Sequence, residues 1–344
     1  MNTLPATMRA LQLHGDRIDT LTVADDVPVP RPGPGQILLR VRAVSLNHRD
    51  LFAVSGRLAS PVALPFVPGS DASGDVVALG TGVTQWHVGD RAMTVFVPGW
   101  QSGLPTPAQR AGTLGAPLPG VLQDYLCVAE RDAVRVPEGW RHEEAATLPI
   151  AALTAWSVLT AGGLHAGSTV LTQGTGGVAL FALQFAKAAG ATVIALSSSE
   201  DKLDRLRALG ADVGIDYRRT PDWVPAVRTA TAGRGVDIVV ETTGATLGQS
   251  IASTALGGFV GVVGFVGGMA SDVPVRQLIG GLVRVQGMFV GPRDSFVQMV
   301  DALNANALRP VIDRVFDLGD SRAAFERLKG GAHFGKVVIA LSDH

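Results

Sequence analysis

Three clusters of residues in this chain have the types and spacing to do chemistry. The first is Gly174-Thr175-Gly176-Gly177-Val178-Ala179, which follows the apolar run 168–172 and opens an apolar-faced segment, residues 178–189. It fits G-x-G-x-x-A between a strand and a helix, where glycine lets the backbone approach a pyrophosphate and the free N–H groups of the helix N-terminus receive its charge. Gly174, Gly176, Gly177 and Val178 are therefore candidate dinucleotide contacts; the bland alternative is a glycine-rich turn with no ligand. The second is Ser197-Ser198-Ser199, at the end of the next strand-like run, residues 192–196. A chain that binds NAD usually carries Asp or Glu at that place, to hold the ribose hydroxyls. A carboxylate would repel a 2′-phosphate, whereas the hydroxyls of Ser197 and Ser198 can donate to one. Lys202 and Arg218 are near enough in sequence to add positive charge, and Tyr217 can pack on adenine. This pattern favours NADPH over NADH. Glu200 and Asp201 read instead as a first helical turn, with Ser198-x-x-Asp201 as a capping box. The third cluster is Asn47-His48-Arg49-Asp50 with Gly69-Ser70-Asp71. Asn47 either hydrogen-bonds a substrate carbonyl or fixes its own turn. Arg49 stays protonated, which makes it a poor acid and a good oxyanion partner. Asp50 reads as a structural acceptor, and Asp71 as a partner for Arg49 or His48. A metal site built from His48, Asp50 and Asp71 lacks a defined donor set.

The elements that must position these residues change character along the chain. Residues 8–13, 37–44 and 73–79 are short β-prone runs between Pro-Gly and Gly-Asp turns, and residues 27–35 form a proline-rich connector. Residues 97–120 are rich in Pro and Gly and read as a long ordered loop, a lid or site wall. From Glu143 onward, strand-like runs (168–172, 192–196, 213–216, 238–241, 259–263 and 283–289) alternate with helical ones (178–189 and 201–209). That alternation indicates a parallel sheet covered on both faces. The tail, residues 295–344, ends in strand-like 314–317 and 336–341 and is expected to return to the first domain. The expected division is 1–142 and 295–344 as a β-rich domain, with 143–294 as the dinucleotide-binding domain.

Composition narrows the function classes. With 344 residues, 47% apolar and 17% charged, the chain supports two cores. A net charge of −1 gives no electrostatic case for nucleic acid or an anionic membrane surface. A single cysteine, Cys127, excludes an intrachain disulfide and an all-cysteine zinc site. No signal-type apolar core stands near the start, and the most apolar run, residues 255–266, is short and glycine-broken, so no membrane span is expected and the cytoplasm is the default location.

Taken together, Asn47–Asp50, Gly69–Gly74, Val88–Asp90, Leu153–Trp156, the Gly174 loop and Gly335-Lys336 resemble the medium-chain dehydrogenase/reductase superfamily, and most its zinc-independent, quinone-oxidoreductase-like branch. The resemblance covers nearly the whole chain. It implies an α/β fold, a Rossmann-type doubly wound parallel sheet beside a GroES-like β-rich catalytic domain. It also implies that Thr154 touches the nicotinamide, that backbone around Phe265, Val266, Phe289 and Val290 lines the same pocket, and that Lys336 lies at the cofactor. His48 stands where relatives carry a basic residue near the phosphates; proton donor and surface histidine are the other readings. Zinc-dependent members carry thiolate, imidazole or carboxylate ligands where this chain has Asn47, Ser70 and Ile150, which make no tight Zn²⁺ site.

The expectation that follows is a zinc-independent, NADPH-dependent oxidoreductase reducing quinones or activated, conjugated carbonyls by hydride transfer, with Asn47, His48 and Arg49 as catalytic candidates. The substrate is a small-molecule carbonyl, enone or quinone, and a homodimer is expected. Metal-free alcohol oxidation is a second enzymatic reading, harder because nothing lowers the hydroxyl pKa as zinc would. An NADPH-binding sensor or scaffold without turnover is the reading from another class. Trp100 and Trp156 either shape an apolar pocket or simply pack.

Overall fold

The computed structural model describes residues 4–57 and 62–342. Contacts divide the chain into two units, Met1–Ile150 with Pro292–His344, and Ala151–Gly291. The first segment carries β1 (Thr7–Leu13), β2 (Leu21–Pro28), β3 (Gln36–Ser45), α1 (His48–Ala53), β4 (Asp71–Leu79), β5 (Arg91–Thr94), α2 (Pro107–Ala111), β6 (Tyr125–Ala129), β7 (Ala133–Arg135) and α3 (His142–Ala145). The middle segment carries α4 (Leu153–Ala161), β8 (Thr169–Gln173), α5 (Gly177–Ala188), β9 (Thr192–Ser197), α6 (Glu200–Ala208), β10 (Val213–Asp216), β11 (Val236–Glu241), β12 (Thr254–Val262) and β13 (Arg284–Gly287). The last segment returns β14 (Ile312–Asp317) and β15 (Lys336–Ala340).

In the first unit a seven-stranded sheet runs β14-β15-β3-β4-β5-β7, with β6 also paired to β3, beside the antiparallel hairpin β1-β2. Alternating apolar residues of β3, Ile37, Leu39 and Val41, face a core shared with Leu11, Leu13, Val76, Phe325 and Ile339. The tail therefore completes the first unit, as its strand-like runs require. Val338 pairs with Ser45, and Ser45 with Asp71, so one end of β15, β3 and β4 gathers the residues around position 47. The boundary falls at Ile150 rather than at residue 142 because the intervening segment is bonded to the first unit. His142 meets Ser73 and Asp75, the Ile150 amide donates to Asp71, and Ala146 packs with Ala43 and Val338.

Residues 97–120 are ordered, as expected, and tied down along their length. α2 interrupts them, begun by a Thr106 cap and Pro107. Gln109 Nε2 donates to the Gly99 carbonyl at 2.7 Å, and the Leu114 amide to Phe96 at 3.1 Å. Trp100 Nε1 donates to Gly103 at 2.9 Å, so this indole packs within its own segment.

In the second unit a six-stranded parallel sheet has the order β10-β9-β8-β11-β12-β13. Reading outward, that is the doubly wound order 3-2-1-4-5-6, whose crevice lies at the carboxyl ends of β8 and β11. β8 is buried along its whole length and α5 covers it with Ala179, Leu180 and Leu183. Trp156 stacks edge-on against Phe185 at 5.5 Å, a packing role. β13 is shorter than the run 283–289 and exposed throughout. The apolar run 255–266 lies largely in β12; among the described residues one helical stretch, His142–Ala161, is long and apolar enough to cross a membrane, and it is mostly buried within the protein.

Candidate active site

The candidate nucleotide-binding residues gather at the carboxyl end of the second unit's sheet. β8 ends at Gln173, and Gly174 turns the chain at φ +80°, its amide donating to Leu196 at 2.8 Å. Gly176 caps α5, and Gly177 and Val178 form its first turn. A Cβ at Gly174 or Gly176 would meet no atom within 4 Å, so both glycines face open space in front of a twelve-residue helix. That is the cradle a pyrophosphate needs. Ser197 ends β9, 1% exposed, with its hydroxyl lacking any partner among the described residues. The Tyr217 amide donates to the Ser197 carbonyl at 3.0 Å, which brings the exposed side chains of Tyr217 and Arg218 to the same strand ends as Ser198 and Lys202. The cap of α6 differs from expectation by one residue. Ser199, not Ser198, accepts from the Lys202 amide, because Ser199 has the extended backbone that precedes the helix; Glu200 and Asp201 do lie in the first turn.

Thr154 is buried in α4. Beside it, Gly291 lies so close that a Cβ would stand 2.6 Å from Ser157 Oγ, which presses the Phe289–Val290 segment onto α4. Val290 is held at φ +45°, a costly conformation for a β-branched residue and one that marks functional loops. Phe265 and Val266 are largely exposed on a loop whose Gly264 approaches the Thr242 carbonyl. Sequence reading missed what holds these loops. The fully buried Glu241 accepts from the amides of Thr243 at 2.8 Å and Gly244 at 2.9 Å, and from Gln173 Nε2 at 2.8 Å and the Ser250 hydroxyl. Gln173 also accepts from the Thr242 amide, so the glycine loop and the turn after β11 are one rigid piece. A carboxylate ending the strand beside β8, three residues before Gly244, was the available signal.

The polar half of the first unit is arranged differently from its sequence-based roles. Asn47 caps α1, its amide N–H donating to Asp50 Oδ2 at 2.8 Å. Its side chain is spent inward: Nδ2 donates to Asp71 Oδ2 at 2.9 Å, and Oδ1 accepts from Lys336 Nζ at 2.6 Å. The second Nδ2 hydrogen faces the Ser45 carbonyl at 3.4 Å, so the side chain ties the ends of three strands together and the turn itself is bonded through the Asn47 backbone and Asp50. Lys336, expected at the cofactor, is buried and also donates to the Leu46 carbonyl at 2.7 Å. Burial drives its pKa down against the pull of Asp71 and Asp50. Burial likewise pushes Asp71 up to about 7, although Lys336 and Asn47 oppose it. Asp71 thus bonds Asn47, not Arg49 or His48.

Arg49 is a clamp and not an exposed oxyanion partner. Its guanidinium donates to Ser70 Oγ and to the carbonyls of Leu114 and Ala116, both at 2.9 Å, and lies over the Phe96 ring. Ser70 in turn donates to Asp50. His48 remains exposed, edge-on to Phe52 at 5.4 Å, and lines a cavity of about 640 Å³ with Leu51, Phe52, Arg57, Glu326 and Lys329. Partial burial, then Arg57, lowers its pKa, which favours the neutral ring. A Ser73–His142–Asp75 chain, at 2.8 and 3.0 Å, has the residue types of a hydrolytic triad, but Ser73 is fully buried, so no substrate reaches it.

These contacts bear on any metal. Ser70 stands between a guanidinium and Asp50, Asn47 between a lysine and Asp71, and Ile150 offers only hydrocarbon and an amide already given to Asp71. A divalent cation would meet Arg49 where it needs a ligand, so the donor set does not fit zinc. Among the described residues no group of three His, Cys, Asp or Glu is placed to hold a metal ion.

A GroES-like sheet domain and a doubly wound sheet with a pyrophosphate cradle define a nicotinamide-dependent dehydrogenase of two domains. Residues 33–138 match the alcohol dehydrogenase GroES-like domain family, and residues 177–305 the zinc-binding dehydrogenase family. The chain is 37% identical, over 92% of its length and 94% of the relative's, to a zinc-type alcohol dehydrogenase-like protein of Schizosaccharomyces pombe. Among solved structures it is similar to a candidate alcohol dehydrogenase of Sinorhizobium meliloti, with TM-score 0.93 and 42% identity over 98% of this chain and 100% of that one. It is also similar to the quinone oxidoreductase of Coxiella burnetii, with TM-score 0.79 and 27% identity over 98% and 100% of the two chains. The chain belongs to the medium-chain dehydrogenase/reductase superfamily and is an NAD(P)-dependent oxidoreductase acting on small-molecule carbonyls or alcohols.

Proposed function

We propose that the protein is a metal-free, NADPH-dependent reductase of quinones or conjugated carbonyls. The observation that carries this reading is the Arg49 clamp, whose guanidinium bonds Ser70 where a zinc-dependent relative would place a ligand. Without a Lewis acid to lower a hydroxyl pKa, alcohol oxidation is disfavoured. Reduction of an activated acceptor needs less: a positioned nicotinamide and a proton from solvent or His48. The lack of a carboxylate at Ser197, whose own hydroxyl is buried, and the cations Lys202 and Arg218 support NADPH. By this reading Thr154, Phe265, Val266, Phe289 and Val290 border the nicotinamide. The bound cofactor supplies the hydride; the chain's own work is to orient it and exclude water. Steady-state NADPH oxidation against quinones, enones and aldehydes, with elemental analysis of the same sample, tests the proposal. Turnover by protein with far less than one zinc per chain is expected; turnover that requires stoichiometric zinc, or none with any acceptor, overturns it.

A further inference from the structure

β15, β3 and β4 lie side by side, and each delivers one polar residue to the same end of the sheet. Lys336 opens β15, Asn47 follows β3, and Asp71 opens β4. Lys336 Nζ donates to Asn47 Oδ1 at 2.6 Å, and Asn47 Nδ2 donates to Asp71 Oδ2 at 2.9 Å. An ammonium has only donors, so Asn47 must turn Oδ1 toward Lys336 and Nδ2 toward Asp71, and the amide has one orientation available. Burying two ionisable side chains is costly, and here both are spent on holding one neutral side chain. That side chain belongs to the N-cap of α1: the Asn47 amide donates to Asp50 Oδ2 at 2.8 Å, and its carbonyl accepts from the Asp50 amide at 2.9 Å. The first turn so anchored carries His48.

We propose that Lys336 is a positioning residue, fixing through Asn47 the first turn of α1 and with it the His48 ring. The kinetic consequence rests on the reductase reading; the placement of α1 does not. The test is an exchange of groups in the full chain: Asn47→Asp, Asp71→Asn and the double variant. In Asn47→Asp two carboxylates face each other. In the double variant the lysine still donates to position 47 and the new amide at 71 donates to the new carboxylate. Each bond of the chain is then remade with the charge moved by one residue. Asn47→Asp is expected to lower turnover about tenfold and to shift the His48 ring signals in proton NMR. The double variant should restore both to near wild type, the coupling expected of groups in direct contact. The NADPH dissociation constant should stay within about twofold throughout. Lys336→Met should imitate Asn47→Asp, with Lys336→Arg recovering part of the loss. A folded double variant with no recovery would contradict the proposal. So would an effect confined to NADPH affinity, which would return Lys336 to the cofactor. Recovery of stability alone, with turnover and His48 signals unmoved by the single variant, would reduce the trio to a fold determinant. If no acceptor is turned over, the reductase reading fails, and the His48 signals still decide this proposal.

Discussion

β9 ends at Ser197, a neutral residue at the strand end where an NAD-binding chain places a carboxylate. NADPH is therefore expected to bind at least about tenfold more tightly than NADH, and Ser197→Asp to reverse or abolish that preference through charge repulsion at the 2′-phosphate. Calorimetric affinities that are equal for the two cofactors would count against it. Arg49 was legible as a fixed cation but not as a clamp, since its partners Ser70, Leu114 and Ala116 are supplied by folding. Arg49→Met leaves the buried Leu114 carbonyl without its guanidinium donor and removes the cation that faces Asp50 and Ser70, so a loss of about 3 kcal/mol is expected by denaturant unfolding. NADPH affinity should change little, because the cradle lies in the second unit. Two carboxyls give opposite pH dependences. His142, and after it Arg42, hold Asp75 at about 2 against its usual 3.8. Its stabilisation is therefore present above pH 3.8 and lost as pH falls toward 2, and Asp75→Asn should flatten that acid limb. Asp71, raised from 3.8 to about 7, gives stability that is full below 3.8 and is lost as pH rises through 7.

At the scale of elements, the strands and helices around the glycine loop were readable because short apolar runs alternate with amphipathic ones and glycines punctuate them. β2, β5, β6 and β7 escaped notice: β5 and β7, of four and three residues, carry too little periodicity to register, and β2 runs into the proline-rich connector. The trio around Asn47 was also unreadable, because Lys336 comes 289 residues later and only strand order joins them. Fragments of the site that lie on one turn, such as Gly174 to Val178, are local and show in sequence; those that close across a sheet do not. The loop carrying Val290 makes its own prediction. Holding a β-branched residue at φ +45° costs on the order of 1–3 kcal/mol, which in Val290→Gly is offset by the lost burial of the side chain and the entropy of glycine in the unfolded chain, so the unfolding midpoint should change little. If the strain serves to orient the nicotinamide, the same variant lowers turnover more than it weakens NADPH binding. A midpoint that falls, with kinetics unchanged, would assign Val290 to packing alone.

For the whole molecule, the exposed edge of the second unit is the feature that calls for a partner. β13 is exposed along its length, and in the segment that leads into it Val275, Ile279 and Leu282 stand open to solvent. Unpaired edges with apolar neighbours invite pairing, and a second copy of the same edge makes a closed two-fold contact. A homodimer is therefore proposed, with Ile279→Asp and Leu282→Asp together giving a monomer; light scattering that finds the unmodified chain monomeric at micromolar concentration would rule the dimer out. Hydride transfer without metal is the central claim, and one measurement meets it directly. Chelator-treated protein, shown by elemental analysis to be free of zinc, is loaded with NADPH and mixed in a stopped-flow instrument with a quinone or enone. A metal-free reductase predicts single-turnover loss of the reduced nicotinamide absorbance, at a rate unchanged by added zinc. No loss until zinc is restored, or hydride transfer from NADH in clear preference to NADPH, would contradict it.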